Sequence, residues 1–583
     1  MEPFTSAAVE PAPPTADDQR DAPRPHVVLL ASPGAGHLIP LAELARRLAD
    51  HHGVAPTLVT FADLENPDAR SAVLSSLPAS VATATLPAVP LDDLPADAGL
   101  ERTLFEVVHR SLPHLRVLLQ SIGSTAALVP DFFCAAALSV ADEVGVPGYI
   151  FFPTSITALC LMRRTVELHD DFAAAGEQRA LPDPLELPGG VSLRTAEFPE
   201  AFRDSTAPVY GQLVETGRQY RGAAGFLANS FYELEPAAVE DSKKAAEKGT
   251  FPPAYPVGPF VRSSSDEPGE SACLEWLDLQ PAGSVVFVSF GSAGVLSVEQ
   301  TRELAAGLEL SGHRFLWVVR MPSLNDAHRN GGHDEDPLAW LPDGFLERTS
   351  GRGLAIAAWA PQVRVLSHPA TAAFVSHCGW NSTLESVATG VPMIAWPLHS
   401  EQRMNAVVLE ESVGMALRPR AREDDIGGTV VRRGEIAAAV KEVMEGEKGH
   451  GVRRRARELQ QAAGRVWSPE GSSRRALEVV AGKWMAAAQK PPPFMRKNKY
   501  GTLIIFLCEM LQRYPTCDHL LLARHAQRVP RPACDDVSAV LCLAGMSSPL
   551  PTTKEACEVG RGGGGRARAV HECPVCGLDF AVG

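Results

Sequence analysis

The chain has 583 residues, of which 45% are hydrophobic and 21% charged, with a formal net charge of -15. Such a length exceeds one hydrophobic core and suits two large domains and a tail, while the composition is that of an ordinary folded protein. The negative charge opposes non-specific binding to nucleic acid or anionic lipid and points instead to small-molecule chemistry.

Taken in chain order, residues 1–22 lack a basic region followed by an apolar one, so they read as a disordered leader rather than a secretory signal. The plainest folded unit spans residues 26–61: an apolar run from His26 to Ala31, a Gly/Pro turn, helix-period residues from Leu41 to Ala49, and a second run from Thr57 to Phe61. That is a β-α-β pattern. Buried-strand runs recur at Ala126–Val129, Gly148–Phe152 and Gly225–Ala228 with room between them for crossover helices, which predicts a parallel doubly wound sheet over 23–258. The stretch 259–272 is polar and turn-rich and reads as a linker. Alternation resumes over 273–470, with strands predicted at Ser284–Phe290, Phe315–Val319, Leu354–Ala358, Ala372–Ser376 and Pro392–Trp396. Residues Pro322–Asp336 read as a long polar loop.

The longest compact apolar run in polar surroundings, Leu503–Cys508, is far short of the roughly 20 residues a membrane helix needs, so no span is expected. Cys134, Cys160, Cys273 and Cys378 are scattered without a disulfide framework, which suits the reducing cytoplasm, and the other cysteines crowd into the tail.

The most informative segment runs from Trp359 to Gln402. A strand to Ser376, a tight turn at His377-Cys-Gly379 and a helix from Trp380 put Gly379, Asn381 and Ser382 at a helix N-terminus, whose free N–H groups and dipole suit a phosphate. His377 can donate to the same oxygens. Glu385, one turn on, can accept from ribose hydroxyls, and Trp359 can stack on a planar base. In the first half, His37 stands directly after the first strand, in Gly36-His-Leu-Ile-Pro40, where α/β folds place their sites. A histidine there can serve as general base, helped by a carboxylate on its other nitrogen, and Asp131 at a second strand's carboxyl end is the candidate.

The whole of Trp359–Gln402 resembles the signature box of plant UDP-dependent glycosyltransferases, and residues 20–488 look most like the phenol-glucosylating branch. The resemblance implies a GT-B fold: an acceptor-binding domain and a UDP-sugar-binding domain facing across a cleft, with a final helix over 471–490 packing back on the first. It implies that Trp359 stacks on uracil beside Gln362 and that Glu385 holds the ribose. The diphosphate falls to His377, Asn381, Ser382 and, from a separate turn, Ser292, while Trp380, Glu401 and Gln402 meet the sugar hydroxyls. A final Gln suggests glucose. The Gly-His-x-x-Pro context implies that His37 is catalytic and paired with Asp131. Phe132 and Phe133 depart from the small polar residues usual after that Asp, and with Thr154 they are candidate acceptor or sugar contacts. The expected reaction is a single inverting displacement on a small phenol, giving a β-glucoside from UDP-glucose as co-substrate, with no cofactor, no metal and a monomeric enzyme.

Two rivals come from other motifs. A dinucleotide-dependent oxidoreductase would use Gly34-x-Gly36, but Ile39 and Pro40 stand where the third glycine of that fingerprint belongs. A nucleic-acid-binding role would use the tail over 491–583, whose His571-Glu-Cys573-Pro-Val-Cys576 with Phe580 resembles the opening half of a plant C2H2 zinc finger. No pair of histidines follows before Gly583, so neither metal nor nucleic-acid binding is expected, and the extension has no assigned role.

Overall fold

The computed structural model describes residues 24–488, except 63, 65–66, 96–98, 123–124, 178, 263–270, 293, 321–336, 358 and 420–429, together with two short strands within 570–581. The leader, most of the linker, the loop Pro322–Asp336, Leu503–Cys508 and the pair Cys573 and Cys576 therefore lie outside the described residues. Residues 1–488 form one compact unit and 489–583 another. In the second, Val570–Glu572 pairs antiparallel with Asp579–Ala581, setting His571 opposite Phe580.

The first lobe of the large unit is built on β1 (His26–Leu30), β2 (Ala55–Phe61), β3 (Ala82–Leu86) and β4 (Thr125–Pro130), in the parallel order β3-β2-β1-β4. Isolated parallel bridges, Leu128 to Gly148 and Asp131 to Phe151, continue that sheet into β5 (Ile150–Phe152). A small antiparallel hairpin of β6 (Leu185–Leu187) and β7 (Val191–Leu193) precedes β8 (Phe226–Ala228) and β9 (Ala254–Pro256), and β5, β8 and β9 are parallel neighbours. Apolar runs such as that of β1 are buried because helices cover both faces of a parallel sheet.

The second lobe repeats the plan with β10 (Val285–Ser289), β11 (Arg314–Val319), β12 (Gly353–Ala357), β13 (Thr371–Ser376), β14 (Met393–Ala395) and β15 (Ala416–Leu417). All are parallel, in the order β12-β11-β10-β13-β14-β15. Two such sheets facing across a cleft make the GT-B arrangement. The carboxyl ends of β1, β4, β5, β10, β11, β12 and β13 are followed by residues that line that cleft.

One prediction needs correction. The Gly/Pro segment before Leu41 reads as a turn, yet the helix already starts at Ala35 and runs to His51 with Pro40 inside it. Gly34, at a φ of 115° that L side chains rarely adopt, makes the turn alone, so His37 rides on the first turn of a helix.

The last helix among the described residues, Ser472–Ala488, follows the second lobe but packs on the first. Its Leu477, Val480, Ala481 and Trp484 join a core with Val27, Leu29, Leu41 and Tyr149. Trp484 meets Tyr149 edge-on at 5.6 Å, and Ser473 donates to the Gly258 carbonyl at 2.5 Å. Since Trp484 is fully buried, Trp484→Ala is expected to cost about 3–5 kcal/mol, read as a lower denaturation midpoint in urea.

Candidate active site

Asp131 has no exposed surface, so its carboxylate must be satisfied from within. Ser32, just past β1, donates to Oδ1 at 2.6 Å, and the Phe133 N–H reaches the same oxygen at 3.3 Å. His37 Nδ1 lies 3.1 Å from Oδ2, with the histidine side chain 23% exposed toward the cleft. The adjacency of β1 and β4 brings the two together, since Leu30 pairs with Pro130 in the register. Burial of the His37 ring opposes its protonation, but the charge and hydrogen bond of Asp131, with Glu401 across the cleft, outweigh it and raise the imidazole above its ordinary value.

His377 shows the opposite case. Burial, with His399 nearby, pushes it down to about 4, so this imidazole is neutral. Its buried Nδ1 has no protein partner. The ring is wedged between two backbones: a Cβ on Gly291 would lie 2.6 Å from its Cε1, and one on Gly379 would collide with Nε2. Both glycines are thus required by close approach, and at Gly291 by a φ of 75° as well.

The two histidines line one cleft of about 640 Å³, within the usual range for a small-molecule site. Its second-lobe wall includes Ser292, Trp359, Gln362, Gly379, Trp380, Asn381, Ser382, Glu385 and Glu401. Trp359 is 53% exposed, a platform open for stacking. Gln362 Nε2 donates to Ser382 Oγ at 2.8 Å and Glu385 Oε2 at 2.6 Å, which fixes this polar cluster beside the start of the helix Trp380–Thr389. The Trp380 indole N–H is already engaged, donating to the Asn229 carbonyl of the first lobe at 2.7 Å. Gln402 is not among the lining residues. It is buried, and its amide oxygen accepts from the N–H groups of Leu398 and His399, bracing the loop in which Ser400 takes a φ of 56°.

The first-lobe wall is aromatic. Phe132 and Phe133 have ring centroids 3.9 Å apart and lie 5.5 and 5.4 Å from the His37 ring, with Phe105, Phe152 and Phe202 beyond. Thr154 lines the same wall with a buried hydroxyl that lacks a protein partner. Sequence reasoning missed Ser32, whose link to Asp131 spans 99 residues, and two arginines of the wall, Arg262 and Arg320. Arg320 donates to the Ser292 carbonyl at 2.6 Å, so it shapes the turn after β10. Among the described residues no cluster of three His, Cys, Asp or Glu could hold a metal, and no helix is long and apolar enough to cross a membrane.

The family model described as UDP-glucoronosyl and UDP-glucosyl transferase matches residues 262–449. The chain is 46% identical over 472 residues to UDP-glycosyltransferase 72B1 of Arabidopsis thaliana, spanning 79% of this chain and 96% of the relative. This chain belongs to the plant UDP-glycosyltransferases. Hydroquinone glucosyltransferase of Rauvolfia serpentina is 44% identical over 467 residues, or 79% of this chain and 98% of that one. Among solved structures, apo UGT2 of Phytolacca americana superposes with a TM-score of 0.71 at 42% identity, over 79% of this chain and 100% of that chain. The same protein complexed with UDP-2fluoro-glucose and pterostilbene gives 0.70 at 40% identity, with the same coverage.

Three outcomes follow for this glycosyltransferase. With His37 as general base, which acts only when neutral, kcat/KM is expected to rise with pH through a midpoint above the ordinary histidine value of about 6.5. Asp131→Asn removes the charge that favours the imidazolium, so a pH–rate profile of that variant should show the midpoint moved down. Gly379→Ala, by driving a methyl group into the His377 ring, is expected to weaken UDP binding by at least about tenfold in titration calorimetry while leaving the fold intact.

Proposed function

We propose that the enzyme transfers glucose from UDP-glucose to the hydroxyl of a small phenol, such as a hydroquinone or a monolignol, with inversion to a β-O-glucoside. The observation that carries this reading is the 3.1 Å contact of His37 Nδ1 with Asp131 Oδ2, at the edge of a cleft that also receives the N-terminus of the helix Trp380–Thr389. With Nδ1 turned to Asp131, Nε2 is left to take the acceptor's proton as its oxygen attacks the anomeric carbon. The UDP group departs from the opposite face. Charge growing on the diphosphate is met by neutral His377, Ser292, Asn381, Ser382 and the Gly379 backbone.

In the same reading Trp359 stacks on uracil beside Gln362, and Glu385 accepts from the ribose hydroxyls. Glu401, its loop braced by Gln402, meets the sugar with Trp380 and Thr154. Phe132 and Phe133 offer flat apolar faces to an aromatic acceptor. The first lobe, 23–258, thus takes the acceptor and the second, 273–470, the donor. The scheme calls for no cofactor, since the UDP-sugar is a co-substrate. The working compartment is the cytoplasm, where the buried free cysteines Cys134, Cys160, Cys273 and Cys378 persist as thiols. The pterostilbene of the Phytolacca complex and the name of the Rauvolfia relative support a phenolic acceptor.

Incubation with UDP-glucose, UDP-galactose and a panel of phenols tests this reading, with proton NMR to read the anomeric configuration. The β-glucoside is expected to dominate, and His37→Ala should lower kcat by about 10²- to 10⁴-fold. An α-linked product, or wild-type turnover in the variant, would overturn it.

A further inference from the structure

The helix that carries His37 contains Pro40. In an α-helix each N–H bonds the carbonyl four residues back, so the usual donor to the Gly36 carbonyl is the residue at position 40, and proline has no N–H to give. The carbonyl immediately before His37 is thereby left open to a partner from outside the helix. Asn381 of the second lobe supplies one, its Nδ2 donating to Gly36 O at 3.1 Å. That carbonyl belongs to the planar peptide whose N–H is that of His37, and this N–H donates to Gly34 O at 3.0 Å. The Gly36–His37 peptide is therefore held at both ends while the ring is held by Asp131.

Asn381 is also in the first turn of the helix whose N-terminus opens on the cleft. Its amide nitrogen carries two protons, one engaged by Gly36 and the other available to an anion at the helix end. We propose that Asn381 is the positioning residue that couples a loaded donor to His37, and that Pro40 serves to keep the Gly36 carbonyl free for it. The proposal rests on the reading above, in which His37 is the base and the helix end holds the diphosphate. Donor binding then orders the Asn381 amide, and that amide sets the peptide plane from which the base is presented to the acceptor.

Pro40→Ala, Asn381→Ala and the double variant test this in the full-length chain with UDP-glucose and hydroquinone. The alanine N–H at position 40 closes the helical bond to Gly36 O, so Pro40→Ala is expected to raise the thermal unfolding midpoint. It should nevertheless lower kcat by about five- to tenfold, the worth of one hydrogen bond, with KM for the acceptor changed by less than about twofold. Asn381→Ala should lose at least as much in kcat and also bind UDP more weakly. If both act through one carbonyl, the double variant falls no further than Asn381→Ala. Wild-type kcat in Pro40→Ala, a lowered unfolding midpoint there, or losses that multiply in the double variant would each overturn the coupling. An inactive His37→Ala beside a fully active Pro40→Ala sinks the coupling alone, whereas an active His37→Ala removes the base assignment and the coupling with it.

Discussion

Asp131 has no exposed surface, and the His37 side of the cleft is arranged by the need to satisfy its carboxyl group. A buried charge is tolerated only when paired and hydrogen-bonded. Here the partners come from three directions: the Ser32 hydroxyl after β1, the Phe133 N–H after β4, and the His37 ring on the first turn of the following helix. Each contact requires β1 and β4 to be neighbours with their carboxyl ends level, which the parallel register provides. The core of the first sheet thereby sets the position of one imidazole.

The two histidines of the cleft differ because their surroundings do. Both rings suffer from desolvation, but His37 faces Asp131 and Glu401, while His377 packs against the Gly291 and Gly379 backbones with His399 nearby. One is pushed up and the other down, a separation of the kind that assigns different chemical duties to like groups. A raised imidazole suits proton transfer; a neutral buried one suits donation of a hydrogen bond without bringing a second positive charge into a closed space.

Much of this was legible in the sequence because much of it is local. Most strands of both sheets read as buried apolar runs, and most of the second-lobe wall lies in the one segment Trp359–Gln402, in which strand, turn and helix follow at fixed spacing. β3 escaped notice because its residues, Ala82-Thr-Ala-Thr-Leu86, are small and largely exposed, and β15 because two residues carry no period. The early start of the helix at Ala35 was hidden by a cluster of Gly and Pro that elsewhere marks a turn. What the sequence could not show is the set of contacts between lobes. Trp380 to Asn229, Asn381 to Gly36 and Arg418 to Glu197 span 151, 345 and 221 residues, and no local pattern announces them. Gln402 illustrates the converse: its place in the segment suggests the sugar, while its amide is occupied by the loop beside it.

The final helix carries a topological consequence. The chain passes from the first lobe to the second once, around residues 261–272, and returns before Ser472 to bury Trp484 against Tyr149. Two covalent straps then join the lobes, with Arg47 resting 4.5 Å over the Trp467 ring at the return. The second lobe is therefore an insertion rather than a C-terminal half: a chimera built to exchange it has to be cut at two seams, leaving the helix Ser472–Ala488 with the first lobe it packs on.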